Sequence, residues 1–244
     1  MPLNKFQQIR YLRNIALEDI GSSGQERLLN SSVLIVGLGG LGSPCALYLA
    51  AAGVGHLGLC DFDKVDLSNL QRQIIHFTND INRPKTASAK DKINELNPDI
   101  KITEHAHFSP DLIRNYDFII DATDSFDAKF SINSACISYN KPFVHAGVLR
   151  YIGQAITIIP KVSACLSCIY THPKELNFPK MDEFKAGLFG VLPGIFGVIQ
   201  ASEAIKFLLQ KHELLTDCLL KIDTRNMNFH KIEVKRRENC PICA

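Results

Sequence analysis

From Val33 the chain reads Val-Leu-Ile-Val and runs straight into Gly37-Leu38-Gly39-Gly40-Leu41-Gly42. A short apolar, mostly β-branched run of this kind predicts a buried parallel strand, and the glycines that follow fit G-x-G-x-x-G. Such a loop lets backbone come close to a phosphate, while the next helix turns its free N-terminal N–H groups toward the anion. Ser43 is expected as the N-cap and Pro44 as the first helical residue. Alanine and leucine then carry the helix to Gly53. The loop commits the first half of the chain to an α/β sheet with a nucleotide at its carboxyl edge. It does not choose the nucleotide.

Length and composition narrow the setting. At 244 residues there is room for one α/β domain with a sizeable core. A net charge of +2 builds no strong basic field, which argues against a nucleic-acid-coating surface. The run Lys235-Arg236-Arg237 reads as a solvated strand end. The N-terminus lacks the apolar core of a secretory signal. The apolar stretch from Ala186 to Ala201 is broken by Gly187, Gly190, Pro193, Gly194 and Gly197, and reads better as a buried helix with its approach loop than as a membrane span. A soluble, cytoplasmic protein with no membrane or nucleic-acid partner is expected.

Hydrophobic patterning divides the chain in three. Residues 1–30 form a helical arm. Residues 31–150 alternate strands and helices: strands at Leu57 to Asp61, Ile100 to His105, Tyr116 to Ala122 and Pro142 to Ala146, with helices opening at Lys85 and Phe126. Residues 151–244 carry alternating strands at Ile152 to Ile159, Cys218 to Asp223 and Phe229 to Lys235, and a long helix from Gly194 to Gln210. This order predicts a Rossmann-like, mainly parallel sheet extended by antiparallel strands.

Ligands of open parallel sheets sit beyond the carboxyl ends of the strands. There the sequence places the glycine loop, Asp61 and Asp63 after the second strand, and Asp124 after the fourth, with Arg72 and Lys85 in segments able to cover the same crevice. Asp61 suits a ribose hydroxyl. Two cations beside a phosphate loop suit a triphosphate better than a pyrophosphate. Asp124 is a candidate Mg²⁺ ligand, a helix N-cap, or both. Of the eight cysteines, Cys165-x-x-Cys168 and Cys240-x-x-Cys243 have metal-ligand spacing and predict a closed, structural Cys₄ zinc site. Cys45, Cys60, Cys136 and Cys218 read as core residues. The eight histidines are scattered and form no metal pair.

With these residues assembled, the chain resembles the MoeB/ThiF/HesA family of bacterial relatives of ubiquitin-activating enzymes. The matches are Arg10-Tyr11-Leu12-Arg13, Val36 to Gly42, Asp61-Phe62-Asp63, Ser68-Asn69-Leu70-Gln71-Arg72-Gln73, Arg83-Pro84-Lys85, Asp121-Ala122-Thr123-Asp124 and the two C-x-x-C pairs. The resemblance implies ATP- and Mg²⁺-dependent adenylation of the C-terminal glycine of a small ubiquitin-like sulfur-carrier protein. It places Gly40 by the nucleotide, Asp61 on the ribose, Asn69, Arg72 and Lys85 on phosphates, and Asp124 on magnesium. Arg13 becomes an arginine finger across a homodimer interface, and the carrier's tail runs under the loop from Thr171 to Lys185.

Three positions depart from the family pattern. Ser125 stands where Asn is usual and Lys129 where Arg is usual, so altered magnesium or phosphate contacts are expected. The loop from Thr171 to Lys185 contains no cysteine, whereas ThiF-type members trap sulfur on one there. Adenylation without a protein thiol intermediate, with sulfur supplied by a separate donor, follows. A nicotinamide-dependent oxidoreductase and a non-catalytic module that holds a ubiquitin-like partner are the alternative readings, and the first leaves Arg72, Lys85 and Asp124 without tasks.

Overall fold

The computed structural model describes residues 2–171, 187–210 and 213–244. Its centre is an eight-stranded sheet in the order β3-β2-β1-β4-β5-β6-β7-β8. The strands are β1 (Ser32–Val36), β2 (His56–Cys60), β3 (Lys101–His105), β4 (Phe118–Asp121), β5 (Phe143–Leu149), β6 (Ile152–Ile158), β7 (Cys218–Asp223) and β8 (Asn228–Glu233). The first five pair in parallel and β6 to β8 continue antiparallel, as the change from apolar runs to alternation predicts.

The helices are α1 (Lys5–Arg10), α2 (Leu12–Ile15), α3 (Gly21–Leu29), α4 (Gly42–Ala52), α5 (Lys85–Leu96), α6 (Phe126–Ser138), α7 (Leu166–Ile169) and α8 (Val191–Leu209). Leu28, Leu49, Ala89, Ile93, Phe196 and Leu208 bring α3, α4, α5 and α8 onto one face of the sheet. On the other face Ile132, Cys136 and Leu166 bring in α6 and α7. Of the described helices, α8 alone has the length and apolarity to cross a membrane. Its buried Phe196, Ala201 and Ala204 lie in the sheet's own core, so its apolarity has an internal explanation.

Two boundaries differ from expectation. Helix α4 starts at Gly42 with no side-chain cap. Ser43 is fully buried and its hydroxyl lies 3.4 Å from the Leu38 carbonyl, so Ser43 braces the loop instead of capping the helix. Helix α8 starts at Val191, three residues before Gly194, because Pro193 occupies the first turn, where a missing N–H costs nothing.

The N-terminal arm docks at the far end of α4 and α5. Tyr11 is buried, its hydroxyl accepting a 2.8 Å bond from Asn97 Nδ2. Its ring lies where a Cβ on Gly53 would stand 2.6 Å away. Gly53 also has φ +83°, the left-handed residue that ends α4.

Candidate nucleotide-binding site

The strand order reverses between β1 and β4, and the crevice opened there is where parallel sheets hold ligands. Val36 is level with Cys60 on one side and Asp121 on the other, so the three chains leave the sheet together. Gly37 N donates to Cys60 O at 2.8 Å and Ala122 N to Val36 O at 2.9 Å, extending both ladders into the loops. At φ +96°, with a hypothetical Cβ 2.6 Å from the Ala122 carbonyl, only glycine fits position 37. A Cβ on Gly42 would stand 1.9 Å from Gly37 O, so the loop closes on its own backbone.

The N–H groups of Gly39, Gly40 and Leu41 donate to no described residue. Gly39 is open except toward Gln73. Three undonated N–H groups on an open glycine turn at the start of an 11-residue helix form a cradle that fits a phosphate.

Asp61 holds the loop in place. Its Oδ2 accepts from Leu38 N at 2.7 Å and its Oδ1 from Asp63 N at 2.9 Å. Burial pushes its carboxyl above the ordinary value, against the opposing pull of Lys85 and these two N–H groups. The nearly buried Lys85 side chain donates to Asp63 Oδ2 at 2.8 Å and stands 3.9 Å from Asp61 Oδ1. Lys85 is therefore no solvated surface lysine; it is stored against two carboxylates at the edge of the crevice. His76, buried between Ser88 at 2.8 Å and the Leu38 carbonyl at 3.1 Å, pins the loop from beneath. Burial draws its imidazole down to about 4, which keeps it neutral.

Asn69 and Arg72 ride on a 3₁₀ turn at Leu67–Asn69 and the bend after it. Arg72 Nη2 donates to Asn69 Oδ1 at 3.0 Å, and the Arg72 stem reaches Gly40, where a Cβ would stand 3.3 Å from its Cγ. This segment is fastened to α5 through the buried Asp80, which accepts from Lys92 at 2.6 Å, Arg83 at 2.8 Å and Phe77 N at 2.9 Å. Burial opposes ionisation of Asp80, but Lys92 and these partners outweigh it and hold the carboxyl at about 2. Beside Arg72 a groove of about 500 Å³ opens between Gln71, Ile74, Gly190, Val191 and Gly194.

Asp124 is exposed beyond β4 and bonds to no described residue, leaving its carboxylate available to a cation. Ser125, not Asp124, caps α6, its hydroxyl accepting from Ala128 N at 3.2 Å. Serine caps as well as asparagine, so the departure at 125 preserves the local structure.

Lys129 is buried, and its ammonium is engaged by the chain itself. Its Nζ donates to Thr123 O at 2.6 Å and Ala146 O at 2.9 Å, and stands 3.6 Å from Asp121 Oδ1. Asp121 is fully buried and also accepts from His145 Nδ1 at 2.7 Å and Thr123 Oγ1 at 2.7 Å. Burial works against its ionisation, yet Lys129, His145 and Thr123 prevail and hold it at about 2. Gln200 Nε2 completes the knot by donating to Asp121 O at 2.7 Å. A lone histidine in a β-strand gives no sign of such a cluster; its one sequence cue is an aspartate and a histidine ending adjacent buried strands.

Arg13 is not brought to this crevice. It is exposed on α2, beside the anchor at Tyr11, about 16 Å down the length of α4 from the glycine loop.

The two C-x-x-C pairs do meet. The four Sγ atoms lie within 4.8 Å of one another, with Cys165–Cys240 at 3.6 Å and Cys168–Cys243 at 3.5 Å. Tetrahedral thiolates at ~2.3 Å from zinc are ~3.8 Å apart, so this donor set fits zinc. Arg237 N donates to Cys168 Sγ at 3.4 Å, and the Arg236 and Arg237 side chains bond to the carbonyls of Cys243 and Ser167. The basic run is thus partly a brace around the cysteines, correcting its reading as a merely solvated strand end. The loop from Thr171 to Lys185, beneath which the carrier's tail was expected, lies almost wholly outside the described residues.

Comparison with known proteins points the same way. The ThiF family model matches residues 11–242. The SAMP-activating enzyme E1 of Haloferax volcanii is 37% identical, covering 100% of this chain and 92% of its own. The sulfur carrier protein ThiS adenylyltransferase of Escherichia coli is 39% identical over 99% of this chain and 97% of its own. Among solved structures, Escherichia coli MccB crystallised with ATP superposes with a TM-score of 0.83 at 25% identity, covering 100% of this chain and 76% of that one. A match running from the docked arm to the final cysteine pair, over the same crevice, makes the chain a member of the ThiF family.

Proposed function

We propose that this chain is one adenylation domain that transfers AMP from Mg-ATP to the C-terminal glycine of a small ubiquitin-like sulfur-carrier protein. The observation that carries the reading is the meeting of the glycine loop, Asp61, Arg72, Lys85 and Asp124 around one crevice. The names of the relatives support it, since two of them are named as adenylyltransferases of sulfur carrier proteins. An oxidoreductase would give three of these charged residues no task.

In this reading the free N–H groups of Gly39, Gly40 and Leu41 seat phosphate, Gly37 and Gly42 let the loop close around it, and Asp61 with Asp63 holds the ribose side. Asn69, Arg72 and Lys85 hold phosphate oxygens. Asp124 would hold Mg²⁺, which when bound neutralises triphosphate charge. The carrier's carboxylate oxygen forms a bond to the α-phosphorus as the bond from that phosphorus to the pyrophosphate oxygen breaks. Two anions must approach one another, so the protein's work is positioning and charge compensation. The groove beside Arg72 gives room for a glycine-ended tail.

We place Arg13 in the site of a second copy, making the enzyme a homodimer. Zinc on Cys165, Cys168, Cys240 and Cys243 would be structural. Sulfur then comes from a separate donor. One relative is named for the sulfur carrier ThiS and another for molybdopterin synthase, so a carrier of the thiamin or the molybdopterin pathway is a candidate substrate.

The test is carrier-dependent exchange of labelled pyrophosphate into ATP. Exchange with a cognate carrier, lost in Arg72→Ala and in Asp124→Ala, is expected. Absence of exchange with every carrier encoded alongside the enzyme overturns the reading.

A further inference from the structure

Gln73 is 4% exposed, and its side chain lies against the glycine loop, with Nε2 3.6 Å from where a Cβ on Gly39 would be. That Nε2 donates to Asn69 Oδ1 at 3.1 Å. Arg72 Nη2 donates to the same oxygen at 3.0 Å. A guanidinium has donors only, so the Asn69 atom facing Arg72 must be the carbonyl oxygen. Gln73 then has to present its amide NH₂ to that oxygen as well. The donor-only character of Arg72 sets which Asn69 atom faces it, and Gln73 adds the second anchor on that oxygen.

This arrangement has a cost and a product. The cost is Gln73 Oε1, which is buried and finds no partner among the described residues. An unpaired buried carbonyl opposes folding, so stability does not account for the amide. The product is the Asn69 NH₂, which makes no hydrogen bond to a described residue and is held pointing away from Arg72. Without Gln73 the Asn69 amide would keep a single anchor and could rotate to present its oxygen to the ligand. An oxygen facing a phosphate repels it.

We infer that Gln73 is a positioning residue: it locks the Asn69 amide with its NH₂ toward the bound triphosphate and its oxygen toward Arg72. The inference rests on the adenylation reading, which supplies the triphosphate. It names a residue that touches the network around the ligand, not the reacting atoms.

The test uses the full chain and measures Mg-ATP binding by calorimetry, with melting temperature alongside. Gln73→Met keeps the volume and removes both amide atoms. Expected are a melting temperature unchanged or raised and a Kd for Mg-ATP weakened about fivefold to tenfold, the worth of one hydrogen bond. In an Asn69→Ala background the same substitution should add nothing, because the group it positions is gone. Wild-type binding matched by Gln73→Met, or effects of the two substitutions that multiply, overturns the inference while leaving the adenylation reading intact. A wild-type chain that binds no Mg-ATP overturns both.

Discussion

Replacing Lys129 with methionine removes the ammonium that ties the ends of β4 and β5 together. Its Nζ bonds Thr123 O at 2.6 Å and Ala146 O at 2.9 Å and stands 3.6 Å from the fully buried Asp121 carboxylate. Bonds from a charged donor contribute ~1.5–3 kcal/mol each. Removing one partner of a buried ion pair costs ~3–5 kcal/mol. These terms share a single ammonium and do not sum, so we expect a loss of ~3–5 kcal/mol near neutral pH, against a typical total of ~5–15 kcal/mol.

The loss should depend on pH with a definite sign. Burial, and next Lys129, hold His145 below the ordinary histidine value. Its native pKa is thus below the unfolded one, and the wild type loses stability as pH falls below ~6.5. In Lys129→Met, His145 is the one cation left against Asp121 and its native pKa rises. Burial still opposes the imidazolium, but less stability is lost on acidification than in the wild type, whose His145 is held lower by Lys129. The two unfolding curves should therefore converge on acidification. Urea unfolding followed by circular dichroism at about pH 8 and about pH 5.5 measures this. A deficit under ~1 kcal/mol at the higher pH, or one that grows at the lower, refutes the reasoning.

Two further outcomes follow from the cysteine cluster and from the arm. The purified chain should contain about one zinc, and Cys240→Ser should lose it and lower the melting temperature. Metal analysis finding no zinc in the wild type, with no response to chelator, would refute the assignment. Arg13→Ala and Asp124→Ala should each be inactive in pyrophosphate exchange, yet recover about a quarter of wild-type activity when unfolded and refolded together, because half of the dimers are mixed and each of these has one intact site. No recovery on mixing would place Arg13 outside the partner's site.

The succession of strands along the chain, the glycine loop, Asp61 and the cysteine pairs were legible because each depends on local pattern: apolar runs, fixed glycine spacing, C-x-x-C. Arg72, Lys85 and Asp124 were legible as a set through topology, which delivers the ends of β1, β2 and β4 to one edge. What stayed hidden depends on three-dimensional partners. The Lys129–Asp121–His145 knot joins residues from α6, β4 and β5 that share no spacing rule. In the sequence Lys129 stood out only as a lysine where the family has arginine, which does not reveal its buried partners Asp121, Thr123 and Ala146. Ser43 has the residue type of a cap, but the loop needed its hydroxyl more than the helix did. The bracing of the cysteines by Arg236 and Arg237 was masked by their resemblance to any charged strand end.

Lys85 has a partner within the chain, the Asp63 carboxylate at 2.8 Å. An arriving anion must therefore displace a carboxylate, and gains only the difference between the two contacts. For inorganic phosphate or sulfate that difference is small, while the loop offers one oxyanion pocket. In the proposed reading a triphosphate with its metal would reach the loop, Arg72 and Asp124 at once, and such a ligand would repay the exchange. On that reading Asp63 would screen the crevice against small anions.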